Sequence, residues 1–214
     1  MSERGYKKAL RAVARGLWSG VFTVDQFEDE MRIAINRFLN HAFDEGAEVF
    51  GVTPDEYTKE EFKAIGDIIK NEVSRISNLA DFIVENSKEN EGKLSKVFDR
   101  INLWVNRFND MVDLAKVMVG KDQKLEWILG STKSHCKTCL ALAGKVKRAS
   151  YWEKIGLRPK NPPNDKLECG GWECQCRLEP TKKPLSKGTL PMFRGLKYVN
   201  IIQRKGISYS YLSS

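Results

Sequence analysis

Residues 94–119 read LSKVFDRINLWVNRFNDMVDLAKVMV. Apolar side chains recur there at steps of three and four: Leu94, Val97, Phe98, Ile101, Trp104, Val105, Phe108, Met111, Val112 and Ala115. That period marks one face of an α-helix, and Gly120 supplies a stop. A helix this long with a wide apolar stripe must bury it against other elements, and the upstream sequence offers more helices. Residues 5–20 predict a basic amphipathic helix with Leu10, Val13, Ala14 and Leu17 on one face. Thr23-Val-Asp-Gln26 has the form of a capping box. It predicts a helix carrying Phe27, Met31, Ala34, Ile35, Phe38, Ala42 and Phe43, ended by Gly51.

Thr53-Pro54-Asp55-Glu56 combines a cap, a proline at the first helical position and a glutamate three residues after the cap. One long helix is expected to follow to about Ser87, with Phe62, Ile65, Ile69, Val73, Ile76, Leu79, Ala80 and Ile83 on its buried face. Residues 86–92 are polar and loop-like. Long helices with short connections pack as antiparallel neighbours, so residues 1–120 are expected to form a helical body.

Downstream of Gly120 the period changes. Leu125, Trp127 and Leu129 alternate, as in a short strand. Ser150-Tyr-Trp-Glu153 resembles a capping box opening a short helix that stops at Gly156, and residues 158–165 form a proline-rich loop. Cys174 to Leu178 alternates and ends at Pro180, so it is expected to pair with the first strand. Tyr198 to Ile202 suggests an edge strand. The expected class is therefore α+β, mainly α: a helical body (1–120), a small Cys-rich module (121–180) and a basic tail (181–214).

The chain has 214 residues, 30% charged and 41% hydrophobic, enough apolar material for a real core. No run approaches the roughly 20 apolar residues of a membrane span. MSERGYKKAL lacks the apolar region of a secretory signal, so a cytoplasmic site of synthesis and assembly is expected. Charge is uneven. Residues 1–130 carry 19 Lys/Arg against 23 Asp/Glu, whereas residues 131–214 carry 17 against 5. Residues 181–214 contain Lys182, Lys183, Lys187, Arg194, Lys197, Arg204 and Lys205 and no acid. Such a stretch suits a polyanion, or serves as a solubilising tail.

All five cysteines lie between residues 136 and 176. Cys136-Lys-Thr-Cys139 on a turn can offer two thiolates to a tetrahedral zinc, and Cys174-Gln-Cys176 can complete the four ligands. Cys169 and His135 are alternates. Disulfides are a second reading of the same residues, and small buried hydrophobes a third. A module this small gains most from a cross-link, which favours metal or disulfide. The CxxC pair does not sit in the βαβ pattern of a redox enzyme. There are two histidines, His41 and His135, and no phosphate-binding, dinucleotide or HExxH motif. Glu60-Glu61 and Asp29-Glu30 fall on expected solvent faces. No enzyme activity and no small-molecule substrate are expected.

From Leu125 to Pro180 the sequence resembles the C-terminal domain of the phage Mu protein F-like head morphogenesis family, the minor head proteins. Trp127 lies on the strand, Cys136-x-x-Cys139 follows a short polar stretch, and Leu142-x-Gly144-Lys145-Val146 comes next. Pro162-Pro163 and Cys174-x-Cys176-Arg177-Leu178-x-Pro180 close the domain. Many members carry a histidine and proline shortly before the last cysteine pair. Here Cys169-Gly-Gly-Trp172-Glu stands there, and Cys169 is a candidate replacement for a ligand. The resemblance implies a virion component made in the host cytoplasm, present in few copies inside the head. It would bind portal or capsid protein and touch packaged DNA through phosphates rather than bases. The competing reading is a zinc-dependent nucleic-acid-binding regulator, motivated by the cysteines and the basic C-terminal part.

Overall fold

The computed structural model describes residues 1–132, 134–172 and 174–192. The chain is mainly helical, 56% helix and 6% strand, with one small antiparallel sheet. Five helices build the body: α1 (Glu3–Trp18), α2 (Val24–Glu48), α3 (Lys59–Val73), α4 (Ile76–Glu85) and α5 (Leu94–Val119). The rest is β1 (Lys124–Ile128), α6 (Lys137–Leu142), β2 (Val146–Arg148), α7 (Ala149–Lys154) and β3 (Arg177–Pro180).

Helix starts follow their caps. Ser2 Oγ accepts the Gly5 amide at α1, and Thr23 and Gln26 exchange reciprocal bonds of 3.2 and 3.0 Å at α2. The faces of α1 and α2 face inward as their periodicity requires, except that Phe38 is half-buried beside the Tyr6 ring while Leu39 is buried fully. Gly46 lets α2 cross close to α5, since a Cβ there would overlap the Val112 carbonyl oxygen.

The single helix expected from residue 54 to 87 is in fact three pieces. Pro54–Glu56 makes only one 3-10 turn, with the Glu56 carboxylate accepting the Thr53 amide at 2.8 Å. Tyr57 then turns extended, so that its ring packs edge-on against Phe43 and its hydroxyl donates to Asp44. A second capping box, Thr58 with Glu61, restarts the chain as α3. A further break falls at Ser74-Arg75, where the Ser74 hydroxyl donates to the Asn71 carbonyl. The restart also corrects two burial expectations. Glu61, expected in solvent, is 6% exposed because its carboxylate is tied to the Thr58 amide. Phe62, expected in the core, is 56% exposed, with its ring edge-on to Tyr57.

The sheet has the order β2-β1-β3, both pairings antiparallel, with Trp127 opposite Leu178 and Leu125 opposite Lys147. β3 begins at Arg177, later than the alternation from Cys174 suggested. β2 and α6 had no periodic signal. The Ser150–Glu153 capping box does not open α7. That helix starts at Ala149, and the carbonyls of Gln123 and Lys121 take the Ala149 and Ser150 amides at 2.8 Å each. Trp127 and Trp152 are fully buried with ring centroids 5.8 Å apart, and the apolar core runs without a break from the helices into the module.

Module and body meet along α5. From Trp104 to Val117 this helix is almost wholly enclosed, and Arg107, Asp110, Asp113 and Lys116 form a buried polar stripe at three-residue steps. Arg107 Nε lies 2.7 Å from the Glu72 carboxylate, and its guanidinium also reaches Asp110 at 3.1 Å and donates to the Pro162 carbonyl at 2.7 Å. Arg158 meets the other Asp110 oxygen at 3.3 Å. Asn106 donates to the Trp172 carbonyl. Lys116 Nζ donates to the Leu178 carbonyl at 2.8 Å, while Asp113 accepts the Leu178 amide at 3.3 Å.

Past β3 the chain doubles back as a strap. Thr181 N donates to the Lys124 carbonyl, Ser186 N to the Val146 carbonyl, and Val146 N to Ser186 Oγ. The Lys124 ammonium donates to the carbonyls of Lys182 and Lys183, and the Lys147 ammonium to those of Ser186 and Gly188. Leu190 is buried at its end. The edge strand expected at Tyr198–Ile202 lies outside the described residues.

Candidate metal centre

The five cysteines reach the site on three pieces of backbone. Cys136 is the N-cap of α6, and its Sγ accepts the Cys139 amide at 3.3 Å. Cys139 sits inside that helix and is 1% exposed. The CxxC spacing therefore works as a helix start that leaves both sulfurs on one side. Cys169 comes from the loop after Pro163. Glu168 anchors that loop on α6: its amide donates to Thr138 Oγ1, and its carboxylate accepts the Lys137 amide at 2.7 Å. Cys174 and Cys176 lead into β3, and Cys176 N donates to Cys174 Sγ at 3.4 Å. Gly130 belongs to the same construction, because a Cβ there would overlap the Gln175 carbonyl.

The sulfurs converge in two sets of three, Cys136–Cys139–Cys169 and Cys139–Cys174–Cys176, with the atoms of each set within 4.8 Å of one another. Cys139 belongs to both, and its Sγ is 3.5 Å from that of Cys174. All five cysteines are free thiols. The quartet expected from sequence, Cys136, Cys139, Cys174 and Cys176, is thus divided between the two sets, and Cys169 joins the first. His135 is not in either set. Its Nδ1 lies 3.2 Å from Thr132 Oγ1. His41 stands apart on α2, with Nε2 2.8 Å from the Met1 amino group.

The thiols bias one another. Cys169 is held well below the usual thiol range, chiefly by bonding from Cys136 and then from Cys139 and Cys174, with help from the Gly171 amide. Cys176 is held low chiefly by Cys139 and Cys174. Cys139, surrounded by the other four sulfurs, is pushed up. Five cysteine sulfurs set this close are a donor set for a soft cation.

The basic residues fare differently. Lys182 and Lys187 are exposed, and the Lys183 ammonium lies 2.6 Å from the Glu126 carboxylate. Arg194, Lys197, Arg204 and Lys205 lie outside the described residues. No helix among the described residues is long and apolar enough to cross a membrane. Comparison with protein-family models, curated proteins and solved structures gave no match.

Cys169, an alternate ligand in the sequence, belongs with the first pair. One feature escaped the sequence reading. The Arg107–Asp110–Asp113–Lys116 stripe was hidden because charged residues on a helix are ordinarily read as its solvent face.

Proposed function

We propose that this chain is a minor head protein of a tailed bacteriophage, a structural and assembly component. In this reading it associates with portal or inner capsid protein, and its C-terminal module is cross-linked by zinc through cysteine thiolates. The observation that carries the reading is the cysteine convergence. The residues on which the resemblance rests converge beside the buried Trp127 strand, Cys136 and Cys139 with Cys169, and Cys139 again with Cys174 and Cys176. Zinc bound there would supply a cross-link between α6, the Cys169 loop and β3, which have little regular structure of their own. A helical body of 119 residues, from Met1 to the end of α5, would offer helical surface to a portal or capsid partner. Packaged DNA would be met through phosphates by Lys182 and Lys187 together with the basic residues that follow, without base readout.

The test is quantitative mass spectrometry of purified particles from the source phage, scaled to the portal protein. A few copies per portal ring are expected. Complete absence from heads and procapsids would overturn the proposal. The competing regulator reading, favoured by the cysteine cluster next to a basic segment, requires tight and sequence-dependent DNA binding. Weak binding that ignores sequence and falls steeply with salt would remove it.

A further inference from the structure

The geometry points to a centre of two metal ions rather than one, bridged by the Cys139 thiolate; this deepens the metal reading above and rests on it. A single tetrahedral ion takes four ligands converging on one point, and at zinc–sulfur distances of about 2.3 Å the donors crowd around that point. Here five sulfurs form two overlapping triads, and the one atom common to both is Cys139 Sγ. Each triad is a three-thiolate site: Cys136, Cys139 and Cys169 on one side, Cys139, Cys174 and Cys176 on the other.

The hydrogen bonds distinguish the same atom. Cys136 accepts an N–H from Cys139, and Cys174 one from Cys176. Those two sulfurs, one in each triad, are provided for as terminal thiolates, whose remaining charge an amide can offset. What surrounds Cys139 Sγ is sulfur, with Cys174 at 3.5 Å. A thiolate shared by two cations has its charge offset by both and needs no amide. Charge balance runs the same way, because two divalent ions leave five thiolates close to neutral, whereas one leaves a buried excess that is costly. On loading, each thiol passes its proton to buffer and no oxidation occurs.

The experiment uses the full chain, reduced and freed of metal, titrated with cadmium-113 as a spectroscopic stand-in for zinc and followed by cadmium NMR. Two resonances of equal area, saturating at two equivalents, are expected. Cys136→Ser should remove one resonance and Cys176→Ser the other, while Cys139→Ser should lower the capacity from two ions to one or none. Circular dichroism checks that each variant is folded, and the wild-type stoichiometry stands by itself if a variant is not. Saturation at one equivalent with a single resonance overturns the two-ion centre and leaves the single-zinc reading intact. No uptake overturns both. Two ions retained in folded Cys139→Ser overturns the bridge.

Discussion

Asp113 shows how far one residue can depart from its expected role. It looks like an ordinary helix-surface acid, yet it is 1% exposed, one of its oxygens has no hydrogen-bond partner among the described residues, and burial pushes its carboxyl up to about 6 against the lowering effect of Lys116. Because the folded value lies above the unfolded one, folding takes up a proton as pH falls through 6 toward 4. The stabilising contribution is therefore full below about 4 and lost as pH rises through 6. The chain should gain on the order of 1 kcal/mol from this group between pH 7 and pH 5. Urea midpoints measured across that range should show the gain in the wild type, and Asp113→Asn should lose it. An equal pH response in both proteins would assign it elsewhere. Single residues were also the scale at which sequence reading was weakest. The placement of Glu61 and Phe62 turned on a helix start shifted by a few residues, and a shift of that size exchanges the inner and outer faces.

Among the elements, helices were legible and their joints were not. The stripe through Phe27, Met31 and Ile35 and the stripe through Val97, Ile101 and Phe108 each fixed a face, because a 3.6-residue period over twenty or more residues admits one reading. Residues 53–87 carried the same period with two interruptions. Thr58–Glu61 repeats the cap signature of Thr53–Glu56 five residues later, and the competition between them was settled by where the Tyr57 ring finds a partner. β2 and α6 were too short to show any period, and their positions are set by β1 and by sulfur. The α2–α5 crossing makes its own prediction. Gly46→Ala forces the helices apart at the Val112 carbonyl and should cost about 1–3 kcal/mol of unfolding free energy, as overpacking does. Gly66 on α3 faces open space, so Gly66→Ala should instead stabilise by up to about 1 kcal/mol. Chemical denaturation of the two variants side by side checks both signs.

In the whole molecule, the sequence suggested a division near residue 120, and the helix that ends there is the one to which the module is fastened. Arg107, Asn106 and Lys116 hold the Pro162, Trp172 and Leu178 carbonyls, so three separate parts of the module are tied to α5 without help from sulfur. If, as proposed, the cysteines hold a metal, removing it with a chelator under reducing conditions should therefore leave the far-ultraviolet helical signal largely unchanged. Tryptophan emission should shift, since Trp127 stands on β1 opposite Leu178, two residues beyond Cys176. Loss of the helical signal together with the emission change would mean that body and module fold as one cooperative unit. The sheet carries a different consequence. Three short strands with open borders would be a template on which neighbouring copies could stack. Here the outward amide and carbonyl of Leu178 are taken by Asp113 and Lys116, and those of Val146 by Ser186. With both margins sealed from within, the protein can be concentrated in a crowded compartment without recruiting its own kind into fibres.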